Sequence, residues 1–167
     1  MYGGMEYITD NEIKTQKVAQ ELAKTLNPGN VVALFGDLGS GKTAFAKGIA
    51  VGLNIKDQIT SPTFVFVKEY PIQKCQSASW RTNFHTSLKL RGTTKSQNIK
   101  LVHVDCYRMN DERDAESIGL TEYFGSNNIV VIEWADRVEK LLTKGTTRIY
   151  FENLGQNKRK IKINRGK

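Results

Sequence analysis

The sequence lacks the features of membrane proteins, secreted proteins and zinc proteins. It has no apolar stretch close to the roughly 20 residues that a membrane-spanning helix needs. Its N-terminus, MYGGMEYITD, contains neither a basic start nor an apolar run, so we expect no secretory signal. Its two cysteines, Cys75 and Cys106, are too far apart for a C-x-x-C motif. We therefore expect a globular protein of the reducing cytoplasm, with no structural zinc and no contact with a membrane.

The positive charge of the chain is concentrated in two segments. The formal net charge is +8. Residues 71–100 contain six basic residues and no acidic one, and residues 157–167 contain six more basic residues and again no acidic one. The rest of the chain is mildly acidic. Basic segments can bind nucleic acid or form an ordinary solvated surface, so both interpretations stay open at this point.

The length of 167 residues predicts a single domain that covers residues 1–167. Within it, the polar segment at about 73–100 is short of aliphatic residues, which predicts an insertion between two strands. The basic C-terminal end is expected to be a second addition to the domain.

The octapeptide GDLGSGKT at residues 36–43 matches the phosphate-binding pattern G-x-x-x-x-G-K-[ST]. An apolar run at 31–35 predicts a buried strand before it, and residues 44–53 predict a helix after it. Glycines let backbone N–H groups approach phosphate oxygens, and the helix N-terminus adds partial positive charge. Lys42 is expected to reach the β- and γ-phosphates, and Thr43 to ligate Mg²⁺. The predicted nucleotide-binding residues are Gly36, Asp37, Leu38, Gly39, Ser40, Gly41, Lys42, Thr43, Ala44 and Trp134, with core packing as the alternative for the tryptophan.

Two acidic residues directly follow apolar strands. Asp105 follows residues 101–104, and Glu133 follows residues 129–132. The carboxyl ends of neighbouring strands face the nucleotide in a phosphate-loop protein, so both carboxylates are expected to lie there. The predicted catalytic residues are Lys42, Asp105 and Glu133, and the predicted metal ligands are Thr43, Asp105 and Glu133.

Alternating strands and helices around the loop predict a three-layer α/β fold of the P-loop NTPase type, with a mixed, mostly parallel central sheet. Residues 9–12 are typical of a capping box, with Thr9 as the N-cap of a helix that ends at about Leu26. Ser61 and Thr63 precede a strand predicted over 64–70, and they are candidates for a switch that senses the γ-phosphate.

The second half of the chain predicts two short helices, at 111–118 and 136–142, and a C-terminal hairpin of residues 147–151 and 160–163. Lysine and isoleucine alternate in the last strand. This pattern favours an edge strand whose outward lysines discourage pairing with another chain.

Five motifs occur in the order GDLGSGKT, SPTF, HVDCYR, ESIGLTEYF and VVIEWADR. Together they closely resemble the TsaE (YjeE) family of small bacterial P-loop ATPases, over about residues 8–152 apart from the insertion. The resemblance implies a role in the threonylcarbamoyladenosine (t⁶A37) modification of tRNA, in which the protein assists a TsaB–TsaD heterodimer. It also implies ATP or ADP and Mg²⁺ as ligands.

The resemblance assigns roles residue by residue. Lys42 and Thr43 fall at the family's phosphate and Mg²⁺ positions, Asp105 falls at its acidic residue near the metal, and Glu133 and Trp134 fall at its Glu-Trp pair. Ser61 and Thr63 fall on its switch-like Ser-Pro-Thr. The insertion at about 73–100 is longer and more basic than the usual connection, which leaves partner docking around it open.

The leading hypothesis is therefore an ATPase that hydrolyses ATP slowly in isolation, because no clear arginine finger is visible, and that its partners stimulate. A small P-loop kinase acting on a metabolite and a nucleotide-dependent module that binds tRNA through the basic segments are the alternatives. No Asn-Lys-x-Asp guanine-reading motif occurs, since Asn157-Lys158-Arg159-Lys160 lacks the aspartate, and this favours adenine.

Overall fold

A computed structural model describes residues 4–57, 59–62, 66–72, 99–125 and 127–166. The strands in these ranges are β1 (Met5–Thr9), β2 (Val31–Phe35), β3 (Val67–Pro71), β4 (Lys100–Asp105), β5 (Ile129–Glu133), β6 (Thr147–Gly155) and β7 (Lys158–Asn164). The α-helices are α1 (Glu12–Ala23), α2 (Lys42–Gly52) and α3 (Glu112–Ser117), and the 3₁₀ helices are η1 (Leu120–Tyr123) and η2 (Ala135–Leu141). Most of the predicted insertion, together with Thr63 and Cys75, lies outside the described residues.

The described strands form one mixed sheet in the order β1-β7-β6-β2-β5-β4-β3. Its four central strands, β6, β2, β5 and β4, are parallel, and the outer strands β1, β7 and β3 pair antiparallel with their neighbours. The predicted mixed α/β sheet is thereby confirmed.

Both faces of the central strands are buried, which makes the fold three-layered. Val32 and Leu34 of β2 pack in the core beneath α1 and α2, with Phe45 and Ile49. Ala33 and its neighbours on the other face pack in a second core with residues of α3, η1 and η2. This two-sided burial explains why β2 and β5 have continuous apolar runs instead of alternating patterns, and why β4 is apolar from 101 to 104 except for His103. Among the described helices, none combines the length and apolar character needed to cross a bilayer.

The start of α1 differs from the prediction. Asn11, not Thr9, is the N-cap, since its side chain accepts a hydrogen bond from Lys14 N at 2.9 Å. Thr9 instead ends β1 and exchanges a 2.8 Å hydrogen bond with Thr15 through its hydroxyl. β1 was not predicted because four of its five residues are exposed, so no apolar pattern marks it. The helix also ends at Ala23, three residues before the predicted Leu26.

The prediction that the last strand lies at an edge was wrong. β7 lies between β1 and β6, and β1 forms the edge of the sheet. Lys160 and Lys162 point toward Glu6 of β1, at 3.4 and 4.0 Å, so they pair across strands instead of guarding an open edge. The predicted helix at 136–142 is the 3₁₀ helix η2, which is interrupted at Val138.

Candidate functional site

The glycine-rich loop, residues 36–43, connects the end of β2 to the start of α2. Gly36, Gly39 and Gly41 have φ values of 139°, 74° and 106°, which residues with a Cβ rarely adopt. A Cβ at Gly36 would lie 2.6 Å from the carbonyl oxygen of Phe151, so a side chain there has no room. Gly41 caps α2 without a side-chain hydrogen bond, which leaves the first N–H groups of the helix available to an anion.

Lys42 is buried at the base of this loop, with 4% of its surface exposed. Its Nζ donates to the carbonyl oxygens of Gly36 at 2.6 Å and Asp37 at 2.8 Å, and it lies 3.7 Å from the centre of the Trp134 ring. Burial lowers the pKa of the Lys42 ammonium, and the charge of Glu133 is the largest opposing influence. Two carbonyl oxygens and the face of an aromatic ring therefore hold the Lys42 ammonium. A bound anion could take the place of these partners.

Trp134 reaches this position through an unusual backbone conformation. It follows the last residue of β5 with φ of 57°, in the left-handed region. Its ring lies 4.9 Å from that of Tyr107, centre to centre. A tryptophan in this conformation costs free energy, so the surrounding contacts must hold it there.

Glu133 lies between a residue of the loop and a histidine. Its Oε2 accepts a 2.7 Å hydrogen bond from the Thr43 hydroxyl, and its Oε1 lies 2.8 Å from His103 Nε2. Glu133 and His103 are each 1% exposed. The other ring nitrogen of His103, Nδ1, has no hydrogen-bond partner among the described residues.

Sequence reasoning did not assign His103 to the site. The available signal was a histidine within the otherwise apolar segment 101–104, where a polar ring needs a buried partner. The partner could not be identified because Glu133 is thirty residues away in the chain.

Asp105 and Glu133 are direct neighbours across the parallel pair β4 and β5, as expected from the strand ends. Asp105 Oδ1 accepts a 2.9 Å hydrogen bond from Tyr107 N, and its Oδ2 accepts one from the Ser61 hydroxyl. The structure thus brings the switch candidate Ser61 to Asp105, whereas Thr63 lies outside the described residues.

A cleft of about 530 Å³ opens over the loop. Eight of the predicted site residues line it, namely Leu38, Gly39, Gly41, Lys42, Thr43, Ala44, Glu133 and Trp134. Four predicted site residues do not line the cleft, namely Gly36, Asp37, Ser40 and Asp105. Sequence reasoning missed the remaining cleft residues, namely Lys47 of α2 and, from elsewhere in the chain, Asp10, Asn11, Glu12, Asn157 and Arg159.

The residues at this cleft fit a polyphosphate and a hard divalent cation. The Lys42 ammonium and the open N-terminus of α2 line the cleft and provide donors suited to phosphate oxygens. The Ser40 hydroxyl is buried outside the cleft wall and, in the described part of the chain, has no hydrogen-bond partner. Thr43 donates its proton to Glu133, so its oxygen lone pairs remain free to bind Mg²⁺, which prefers oxygen ligands.

Comparison with known proteins finds similarity over nearly the whole chain. The family model described as TsaE, threonylcarbamoyl adenosine biosynthesis protein TsaE, matches residues 9–161. The tRNA threonylcarbamoyladenosine biosynthesis protein TsaE of Bacillus subtilis is 34% identical, with 94% of this chain and 83% of that protein covered. The protein of the same name from Aquifex aeolicus is 32% identical, with 96% of each chain covered. The crystal structure of Bacillus subtilis YdiB is similar with a TM-score of 0.71 and 29% identity, covering 100% of this chain and 88% of that chain.

Proposed function

The chain belongs to the TsaE family of threonylcarbamoyl adenosine biosynthesis proteins, and we propose that it is a Mg²⁺-dependent ATPase stimulated by a TsaB–TsaD heterodimer. The observation that carries the ATPase part of this proposal is the hydrogen bond between Thr43 of the glycine-rich loop and the buried carboxylate of Glu133, and the family supports the part that concerns the partners. The hydrogen bond joins a phosphate-binding element to an acidic group at the end of the neighbouring strand, which is the arrangement that nucleotide hydrolysis requires.

Phosphate binding would use the backbone of the loop and the start of α2. The N–H groups at the start of α2 bear partial positive charge, and the positive φ of the loop's glycines would let the backbone approach an anion in the cleft that Gly39 and Gly41 line. Lys42 would exchange its two carbonyl partners for phosphate oxygens. This exchange is favourable because a charge-assisted hydrogen bond to phosphate is stronger than one to a neutral carbonyl.

The metal would be held by the Thr43 hydroxyl with help from Glu133 and Asp105. Bound Mg²⁺ would neutralise charge on the phosphates and polarise the terminal phosphoryl group. Glu133 contacts Thr43 directly, and Asp105 is held by Ser61 and Tyr107 N, which supports Glu133 as the carboxylate nearer to the metal.

Glu133 would also orient the attacking water. Its two oxygens have separate partners, Thr43 on one and His103 on the other, and these contacts fix the plane of the carboxylate. A fixed acceptor places the water without a cost of reorganisation at the moment of reaction. We place the proton of the attacking water on Glu133 in the course of the attack.

The proposal is tested by phosphate release from ATP, measured with and without the TsaB–TsaD pair. We expect stimulation by the pair, and we expect Glu133→Gln to abolish it while ADP binding persists. The glutamine keeps the size of the side chain, removes its charge and replaces one of its two acceptor oxygens with an NH2 donor. Intact ADP binding without any stimulation would contradict the proposed regulation, and transfer of phosphate to a metabolite would favour the kinase alternative.

The role of Mg²⁺ has its own test. Thr43→Val keeps the shape of the side chain but removes the hydroxyl. We expect this variant to lose the increase in ATP affinity that Mg²⁺ produces in the wild type, and we expect Thr43→Ser to retain it. Equal Mg²⁺ dependence in the valine variant and the wild type would contradict the assignment of Thr43.

A further inference from the structure

Arg159 comes from the C-terminal strand and lies against the glycine-rich loop. A Cβ built on Gly41 would lie 2.9 Å from Arg159 Nη1 and 3.2 Å from its Cδ, so the guanidinium and its stem cover this glycine. Arg159 also lines the same cleft as Lys42 and Thr43. Two segments more than a hundred residues apart in sequence therefore form neighbouring walls of the cleft.

The period of a β-strand explains why this arginine faces the loop while its basic neighbours do not. Ile161 and Ile163 are buried in the core beneath α1 and α2, and Arg159 lies on the same face of β7. Lys160 and Lys162 lie on the opposite face, near Glu6. The basic C-terminal segment is thus divided: the two lysines pair with an acid of β1, and the arginine faces the cleft.

The turn before β7 supports this position. Gly155, Gln156 and Asn157 all have positive φ, at 79°, 49° and 61°, and the strand register shifts between Asn153 and Gly155. The turn brings Asn157 to the cleft, where its carbonyl oxygen accepts a hydrogen bond from Arg159 Nη2 at 3.3 Å. Bulges and left-handed residues of this kind commonly redirect a strand end beside a binding site.

The charge of Arg159 has no anionic partner in the described part of the chain. Arg159 is half-buried, and no carboxylate there forms an ion pair with it. The nearby acids of the cleft are already paired, Asp10 with Lys14 at 2.5 Å and Glu12 with Lys47 at 3.6 Å. A guanidinium that loses water on one side gains most from an anion with several acceptor oxygens.

We propose that Arg159 contacts the phosphate chain of the bound nucleotide from the side of the cleft opposite Glu133. This inference rests on the proposed nucleotide binding and adds a phosphate-binding residue outside the glycine-rich loop. The guanidinium would donate to phosphate oxygens lying over Gly41, in addition to the loop N–H groups and Lys42.

The experiment compares Arg159→Gln with wild type for binding of ADP and of inorganic tripolyphosphate, which has no base or sugar. We expect the dissociation constants of both ligands to rise roughly 10- to 100-fold, the effect of one charge-assisted hydrogen bond. Arg159→Lys keeps the charge but loses the bidentate geometry of the guanidinium. Its dissociation constants should therefore lie between those of the wild type and Arg159→Gln. Lys162→Gln removes the same charge from the opposite face of β7 and should change neither constant by more than about twofold.

Each other outcome is decisive. Unchanged ADP binding in Arg159→Gln would overturn the inference and leave the proposed function intact. Weaker ADP binding with unchanged tripolyphosphate binding would also overturn it, because the arginine would then contact the base or the sugar. If wild type binds neither ligand, the proposed function falls and this inference falls with it. Thermal unfolding without ligand shows whether the variants are folded, and Arg159→Lys provides the comparison if Arg159→Gln is not.

Discussion

His103 Nε2 lies 2.8 Å from Glu133 Oε1, and this contact joins the neighbouring parallel strands β4 and β5 at a point where both side chains are buried. The other oxygen of the same carboxylate accepts the Thr43 hydroxyl. A buried carboxylate requires such partners, because leaving it unpaired costs several kcal/mol. His103 is therefore a positioning residue for the acid that we place next to the metal and the attacking water.

We expect His103→Ala to lower ATP turnover about 10- to 100-fold while changing ADP affinity much less, because it releases Glu133 without touching the glycine-rich loop. It should also destabilise the fold by about 1–3 kcal/mol. His103→Gln keeps a donor at this position and should recover part of the turnover. Separate measurements of turnover, ADP affinity and thermal unfolding check this. Equal losses of affinity and turnover would contradict a positioning role.

Nucleotide binding should change the fluorescence of Trp134. The Lys42 ammonium lies 3.7 Å from the centre of its ring, and phosphate is expected to draw the ammonium away. The chain has two tryptophans, so the measurement uses a Trp80→Phe background in which Trp134 alone emits. We expect ADP to alter the tryptophan emission in this background. Adding Trp134→Phe to the same background should remove the change that ADP produces. Unaltered emission at ADP concentrations that saturate binding by calorimetry would contradict this.

Gly48 lets α1 and α2 pack closely. A Cβ at this position would lie 2.5 Å from the Gln16 carbonyl oxygen and 2.6 Å from Ala19 Cβ. Alanine normally stabilises a helix interior relative to glycine by about 0.5–1 kcal/mol, but here the clash should prevail. We expect Gly48→Ala to lower the free energy of unfolding by about 1–3 kcal/mol in urea denaturation. Val51→Ala, on the exposed face of α2, should change it by less than about 1 kcal/mol.

Cys106 should be unreactive in the folded protein. It is fully buried, and burial raises the pKa of its thiol from 9.0 to about 12. In a Cys75→Ser background, we expect slow alkylation of the native protein at pH 8 and rapid alkylation in urea. Rapid alkylation under native conditions would show that this part of the core opens.

The raised pKa of the Cys106 thiol also predicts how the free energy of unfolding depends on pH. Above pH 9 the unfolded thiol loses its proton while the folded thiol retains it, so alkali favours the unfolded state. The contribution of Cys106 is fully present below pH 9 and falls by about 1.4 kcal/mol per pH unit up to about pH 12. Cys106→Ala should lack this part of the alkaline decline, measured as the difference between its unfolding curves and those of the wild type.

Each element that could be predicted from the sequence is marked by a pattern in a short run of residues. The glycine-rich loop is recognisable because its glycines, Lys42 and Thr43 lie within eight consecutive residues between a strand and a helix. β2, β4 and β5 are recognisable because burial on both faces makes them mainly apolar, with His103 as the exception within β4. For the same reason Asp105 and Glu133 could be placed at the ends of neighbouring strands, and the register sets them side by side.

Elements without a local signal could not be predicted. β1 is mostly exposed, so no alternation marks it, and β7 has an alternation that suits an edge and an interior strand equally well. Only the pairing of β1 with β7 shows that β7 is an interior strand. This pairing covers the outer side of β7 and brings Glu6 of β1 close to Lys160.

The sequence by itself determined the glycine-rich loop, the α/β class and the two acids, because each is encoded in a short run of residues. The tertiary structure alone decided which partners these residues have. It set His103 against Glu133, turned the Trp134 ring over Lys42 and brought Arg159 to Gly41. The physical reason is that such contacts depend on strand order and register, which result from packing over the whole chain and not from any local pattern.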